Sequence, residues 1–186
     1  MRLALAILLS AGVARAEIAD SAAGGFTIKI ATSLHASPAD VYSRIVRVGD
    51  WWSSQHTYSG DTHNMSIDPR AGGCFCEKLP DGGSVQHMEV VQARPGRLLR
   101  MYGGLGPLQG LAGAGPMTFD LKPAEGGTRL EFSYTVSGYL PQGLAGWAGP
   151  VNEVLSMQIA RLKSYVETGN PAAQTAAQPK AEPKAR

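Results

Sequence analysis

Apolar and polar residues alternate over 25–34, GFTIKIATSL, with Phe26, Ile28, Ile30 and Thr32 on one parity and Lys29 on the other. Successive side chains on a strand point to opposite faces, so this spacing predicts a half-buried β-strand. The pattern then changes period. Ser37 stands where a helix N-cap stands, Pro38 suits the first helical position, and Asp40 suits the positive end of the helix dipole. Val41, Ile45, Val46 and Val48 continue an apolar stripe until Gly49, and Asp50-Trp51-Trp52-Ser53 predicts a second short helix. Alternation returns in six further segments, at 63–69, 73–79, 84–93, 97–103, 115–123 and 127–137. Asp68-Pro69, Pro80-Asp81-Gly82-Gly83, Arg94-Pro95-Gly96 and Glu125-Gly126-Gly127 separate them and are turn-formers. Such short separators imply antiparallel neighbours.

From Gly149-Pro150 the period is helical once more. Val151, Val154, Leu155, Ile159, Leu162 and Val166 share one face, and Gly169 and Pro171 end the run. The order is strand, two short helices, six strands, long helix, which defines an α+β class. A curved antiparallel sheet leaves one apolar concave face, and the C-terminal helix is the one element long enough to cover it.

The two ends carry a different composition. Residues 1–16, MRLALAILLSAGVARA, join a basic residue, a short apolar core and the small-x-small pattern Ala14-Arg15-Ala16. These are the marks of a secretory signal cut before Glu17, and they predict a periplasmic or secreted protein. Residues 17–24 read as an N-terminal linker. Residues 170–186 hold no large apolar side chain and read as a disordered Pro/Ala-rich tail. The folded domain is expected at 25–169.

Apolar types make up 44% of the 186 residues, enough for a packed core. Formal charge is +2, but Arg2 and Arg15 lie in the export segment and the tail is itself basic. The body is therefore mildly acidic, which argues against a nucleic-acid partner. There is no apolar run near the ~20 residues that span a bilayer, so no integral membrane segment is expected.

Several pieces together resemble the START-like, or SRPBCC, superfamily, which includes polyketide cyclase-like proteins, lipid-transfer proteins and Aha1-type domains. They are HASPADVYSRIVRVGDWW at 35–52, AGGCF at 71–75, DGG at 81–83, ARPGRLLRM at 93–101, EGGTRLEF at 125–132 and the closing helix 150–168. The resemblance spans about 25–168. It implies a helix-grip fold, a curved antiparallel sheet wrapped around a long C-terminal helix, with an apolar cavity between them. It does not imply one activity, because the superfamily includes carriers, cyclases, hydrolases and chaperone partners. An exported chain cannot meet a cytosolic chaperone, which discounts that role.

Gly103–Gly115, GGLGPLQGLAGAG, has six glycines in thirteen positions yet carries Leu105, Leu108 and Leu111. It matches no phosphate-binding loop. Gly-Leu-Ala-Gly recurs at 143–146, just before Trp147 and the long helix. In the resembled fold both connections lie at the cavity mouth, where mobile apolar loops suit a lid over an apolar ligand. A plain connector is the alternative. Trp52 is a second aromatic candidate, with core packing as its competing role.

Cys74 and Cys76 share one strand face. Export favours a disulfide, but two steps along a strand separate Cα atoms by ~6.6 Å, near the upper limit for one. Buried free thiols are therefore expected. Pairing Lys78 with Val85 would set Cys76 opposite His87 and Cys74 opposite Glu89, a weak Cys74/Cys76/His87 metal module. The same register sets Phe75 beside Met88 and Glu77 beside Gln86 on the cavity parity. A carboxyl there would have a raised pKa and could serve as an acid or base. Its alternatives are a place at the sheet edge or pairing with an arginine. His56, Tyr58, Asp61 and His63 follow the tryptophans, and His56 is a second catalytic candidate.

The expected function is binding of a small hydrophobic molecule, lipid or polyketide-like, with no cofactor. The expected ligand contacts are Trp52, His56, Tyr58, Phe75, Glu77, Met88, Tyr102, Leu108, Leu111, Phe119, Tyr134 and Trp147. A cyclase or dehydratase using Glu77 or a histidine in the same cavity is the enzyme alternative.

Overall fold

A computed structural model describes residues 15–173. The export segment up to Ala14 and the tail from 174 onward lie outside the described residues. Eight antiparallel strands form one curved sheet in the order β1-β2-β8-β7-β6-β5-β4-β3. They are β1 Arg15–Ala22, β2 Gly25–Leu34, β3 Met65–Ile67, β4 Cys74–Lys78, β5 Ser84–Arg94, β6 Leu98–Gly103, β7 Ala112–Ala124 and β8 Gly127–Tyr139. Two helices, α1 Pro38–Val46 and α2 Ala148–Thr168, complete the fold. Among the described residues no helix is long and apolar enough to cross a membrane.

The alternating residues of the central strands supply the core. Phe26, Ile28 and Ile30 of β2 share it with Leu130, Phe132, Tyr134 and Val136 of β8 and with Met117, Phe119 and Leu121 of β7. Leu155, Ile159, Leu162 and Val166 of α2 are buried with them, as are Val41 and Ile45 of α1. Ser37 caps α1 by accepting from the Asp40 N–H at 3.2 Å. Gly169, at φ 75°, closes α2 in the left-handed conformation, and its N–H bonds the Tyr165 carbonyl at 2.9 Å.

Three elements differ from expectation. Residues 17–24, expected as a linker, lie in β1 and its turn into β2, with Ile18 opposite Ile28. β1 carries almost no buried side chain, so backbone pairing holds it and no hydrophobic period announces it. A cut before Glu17 would leave Glu17–Ala22 of the strand paired. The short helix expected at 50–53 is instead a pair of 3-10 turns, Val48–Asp50 and Ser54–His56, on either side of the two tryptophans. Finally, β7 begins at Ala112, so the glycine-rich segment is mostly structured. Its middle, Gly106–Gly110, is a 3-10 turn whose first residue has φ 57°.

The register between β4 and β5 changes midway. Cys74 pairs with Glu89 and Phe75 with Met88, as expected, but Cys76 pairs with Gln86 and Glu77 with Val85. His87 is therefore an extra residue on β5, a β-bulge. An extra residue breaks the strand's alternation of faces, so the neighbours His87 and Met88 are both buried.

Opposite the bulge, Cys74 and Cys76 have Cα atoms 5.3 Å apart and form a disulfide. This overturns the expectation of free thiols, because the separation lies well below that of an extended strand and within disulfide range. The metal module does not form either. Its two sulfurs are bonded to each other, and His87 faces the interior. Among the described residues no group of His, Cys, Asp and Glu is arranged to hold a metal. Thiol titration of unfolded, unreduced protein should find no reactive groups, and two after reduction. Two without reductant would contradict the bridge.

Candidate functional site

The two tryptophans sit where α1 hands the chain to the sheet. Trp51 donates its indole N–H to the Ile45 carbonyl at 3.2 Å, and Trp52 donates to the His56 carbonyl at 2.9 Å. α2 fixes this segment from the other side. Arg161 donates to the Trp51 and Trp52 carbonyls at 2.9 and 3.2 Å, and buried Gln158 accepts from the Ser53 N–H at 3.0 Å. The tryptophan segment is thus tied to the middle of α2, and the Trp52 ring shares a space with the first turns of that helix at one end of the sheet.

There the structure leaves a cavity of about 350 Å³. Trp52, Gln55, His56, Thr57 and Tyr58 form one wall, and Leu105–Leu108 another. Trp147, Pro150, Val151, Val154 and Leu155 come from the start of α2, while Met65 and His87 come from the sheet. The wall is mostly apolar, as in sites that take small organic molecules.

The glycine-rich segment is pinned rather than loose. The buried Tyr134 hydroxyl donates to the Gly103 carbonyl at 3.0 Å and accepts from the Leu105 N–H at 3.1 Å. Burial pushes that hydroxyl up to about 12, so Tyr134 is a structural phenol at neutral pH. The Tyr58 hydroxyl donates to the Gly106 carbonyl at 3.1 Å across the mouth. Gln109 donates its side-chain amide to the Gln86 carbonyl. The two Gly-Leu-Ala-Gly stretches do meet, since a Cβ at Gly113 would lie 3.5 Å from the Leu144 side chain.

Of the expected ligand contacts, Trp52, His56, Tyr58, Leu108 and Trp147 line the cavity. Phe75 and Glu77 stand behind His87, and Met88 is buried in the sheet without reaching the cavity wall. Phe119 stacks edge-on against Phe132 at 5.0 Å in the core. Tyr102 is half exposed on the other face of β6. Leu111 also falls outside, because the 3-10 turn ends before it and the chain enters β7. The sequence missed Met65, Leu105 and the Val151–Leu155 stripe as wall residues. That stripe was visible, but its period is that of any core-facing helix.

His87 is the main residue assigned to the wrong face. Its Nε2 lies 2.9 Å from Glu77 Oε2, and both side chains are almost fully buried. Glu77 Oε1 accepts from the Ser59 N–H at 2.5 Å. Its partner is thus neither an arginine nor His56, the other catalytic candidate, which sits at the exposed mouth and makes no bond to it. Burial alone would push the Glu77 carboxyl up. Hydrogen bonds from Ser59, Tyr58 and His87 outweigh it and hold the group below the usual carboxylate range, reversing the expected rise. Burial also lowers His87 more strongly than Glu77 raises it. At neutral pH the pair is thus a carboxylate and a neutral imidazole with its proton on Nε2. The rings of Phe75 and Tyr58 flank the imidazole at 4.9 and 5.9 Å.

An eight-stranded antiparallel sheet, a long C-terminal helix and a cavity at their open end define a helix-grip fold. Solved structures share it. The Aha1 dimer from Colwellia psychrerythraea is 18% identical, with 77% of this chain and 97% of that one covered at TM-score 0.55. CalU16 from Micromonospora echinospora is 17% identical, with 90% and 91% covered at TM-score 0.54. A conserved protein of unknown function from Enterococcus faecalis is 20% identical, with 84% and 78% covered at TM-score 0.54. At these identities the likeness is one of fold. No protein-family model matches the chain, and no curated protein matches it.

Proposed function

We propose that this protein binds a small hydrophobic molecule, lipid or polyketide-like, in the cavity between the glycine-rich turn, the tryptophan segment and the start of α2, and that it does so outside the cytoplasm. The observation that carries this reading is the cavity itself, walled by Trp52, Met65, Leu105, Leu108, Trp147, Val151, Val154 and Leu155. Burial of an apolar ligand there contributes about 25 cal/mol per Å² removed from water, before the costs of ordering it. Export is supported by the signal-like first sixteen residues and by the Cys74–Cys76 bridge, since disulfides persist in oxidising compartments.

A second reading is a proton-transfer enzyme of the cyclase or dehydratase type. It is favoured by the Glu77–His87 pair at 2.9 Å in the cavity wall. A carboxylate that orients an imidazole is a recurring base arrangement. A carrier keeps its ligand unchanged, whereas an enzyme releases an altered one.

Protein purified natively from a periplasmic extract, then extracted into organic solvent and examined by mass spectrometry, should yield an apolar compound near equal stoichiometry. Its N-terminus should be Glu17. An empty extract, together with no response to apolar probes, would refute the binding reading. An intact Met1 would refute export.

A further inference from the structure

We infer that the ligand carries a hydroxyl group on its otherwise apolar skeleton, and that Nδ1 of His87 accepts the hydrogen bond from it. This rests on the cavity being the binding site. His87 lines that cavity and is 3% exposed. Its Nε2 is committed to Glu77 at 2.9 Å, which places the ring proton there and leaves a lone pair on Nδ1. Nδ1 is buried and, among the described residues, meets no donor. Buried polar atoms are nearly always paired, so an acceptor left open in a cavity wall marks where a bound molecule supplies the donor.

The polarity of the pair selects the chemistry. Glu77 is filled by donors from Ser59 and His87, and it holds the imidazole as an acceptor only. A ligand carbonyl or carboxylate facing Nδ1 would set lone pair against lone pair, and a carboxylate would also face the Glu77 charge. An alcohol or phenol fits where a fatty-acid anion does not. Nδ1 itself is closed to water. The half-exposed Tyr58 ring lies 5.9 Å from the imidazole with its hydroxyl on the Gly106 carbonyl, so a hydroxyl reaching Nδ1 requires a shift among these neighbours.

The test uses three probes of one skeleton on the full chain: naphthalene, 2-methoxynaphthalene and 2-naphthol, followed by calorimetry. The naphthol should bind about tenfold more tightly than its methyl ether, and His87→Phe should abolish that difference while retaining naphthalene binding. In the unaltered protein, the unprotonated ring nitrogen of His87 should shift in ¹⁵N spectra on adding naphthol and stay in place on adding naphthalene. That readout decides the matter if His87→Phe fails to fold. Equal affinity for naphthol and ether, or an unmoved nitrogen, overturns the inference and leaves the cavity reading standing. Failure of all three probes to bind overturns both.

Discussion

His87→Leu is expected to lower the unfolding free energy by about 3 kcal/mol, the upper end of the cost of taking a hydrogen-bond donor from a buried polar group, because the acceptor here is a carboxylate. Glu77 is fully buried, and of its two oxygens one depends on the Ser59 N–H and the other on His87. Removing the imidazole strands the carboxylate. Removing both side chains, as in Glu77→Leu with His87→Leu, strands only backbone N–H groups at Tyr58 and Ser59, so the double variant should lose much less than the sum of the singles. A double-mutant cycle by urea unfolding measures this, and additive losses would contradict a coupled pair.

The pair also sets an acid limit. Both groups have folded-state pKa values below their ordinary ones. The unfolded chain therefore binds more protons, and stability is lost as pH falls. For His87 the loss starts near the ordinary histidine value of about 6.5, and for Glu77 it comes lower, in the carboxylate range. In His87→Leu, the first of these slopes should vanish from a profile of Tm against pH.

Leu108→Ala should cost about 2–5 kcal/mol, in the range for truncating a core leucine, whereas Leu111→Ser should cost under about 1 kcal/mol. Spaced three apart, Leu105, Leu108 and Leu111 look like one apolar set. The 3-10 turn at Gly106–Gly110 divides them. Leu105 and Leu108 face the cavity, and Leu108 is 1% exposed, while Leu111 leaves toward β7 half-buried. Leu108 is both cavity wall and core, so a mobile lid does not account for its burial. Thermal unfolding of the two variants separates them, and equal losses would put both leucines back in one layer.

The long helix, the short N-terminal helix and seven of the strands were legible because their apolar residues recur with a helical or alternating period. β1 was not, because its side chains bury almost nothing and its pairing is a backbone property. The site was legible to the extent that large aromatics and leucines in glycine-rich surroundings mark a mouth, which located Trp52, Tyr58, Leu108 and Trp147. Glu77 was placed on the correct face and His87 on the wrong one. A single inserted residue on β5 accounts for this, since periodicity carries no mark of a bulge at His87 until the facing strand is known. The same feature hid the disulfide, whose short Cα separation sits opposite it.

The most direct test of binding in this cavity compares the native chain with Val154→Phe, which fills the space beside Leu155 and Trp147. Tryptophan fluorescence titrated with naphthalene should saturate in the native chain. Binding should weaken by about 1–3 kcal/mol in Trp147→Ala and fall below detection in Val154→Phe, with the Tm of Val154→Phe unchanged or raised. Equal binding by the native chain and Val154→Phe would place the ligand elsewhere and contradict the assignment of this cavity.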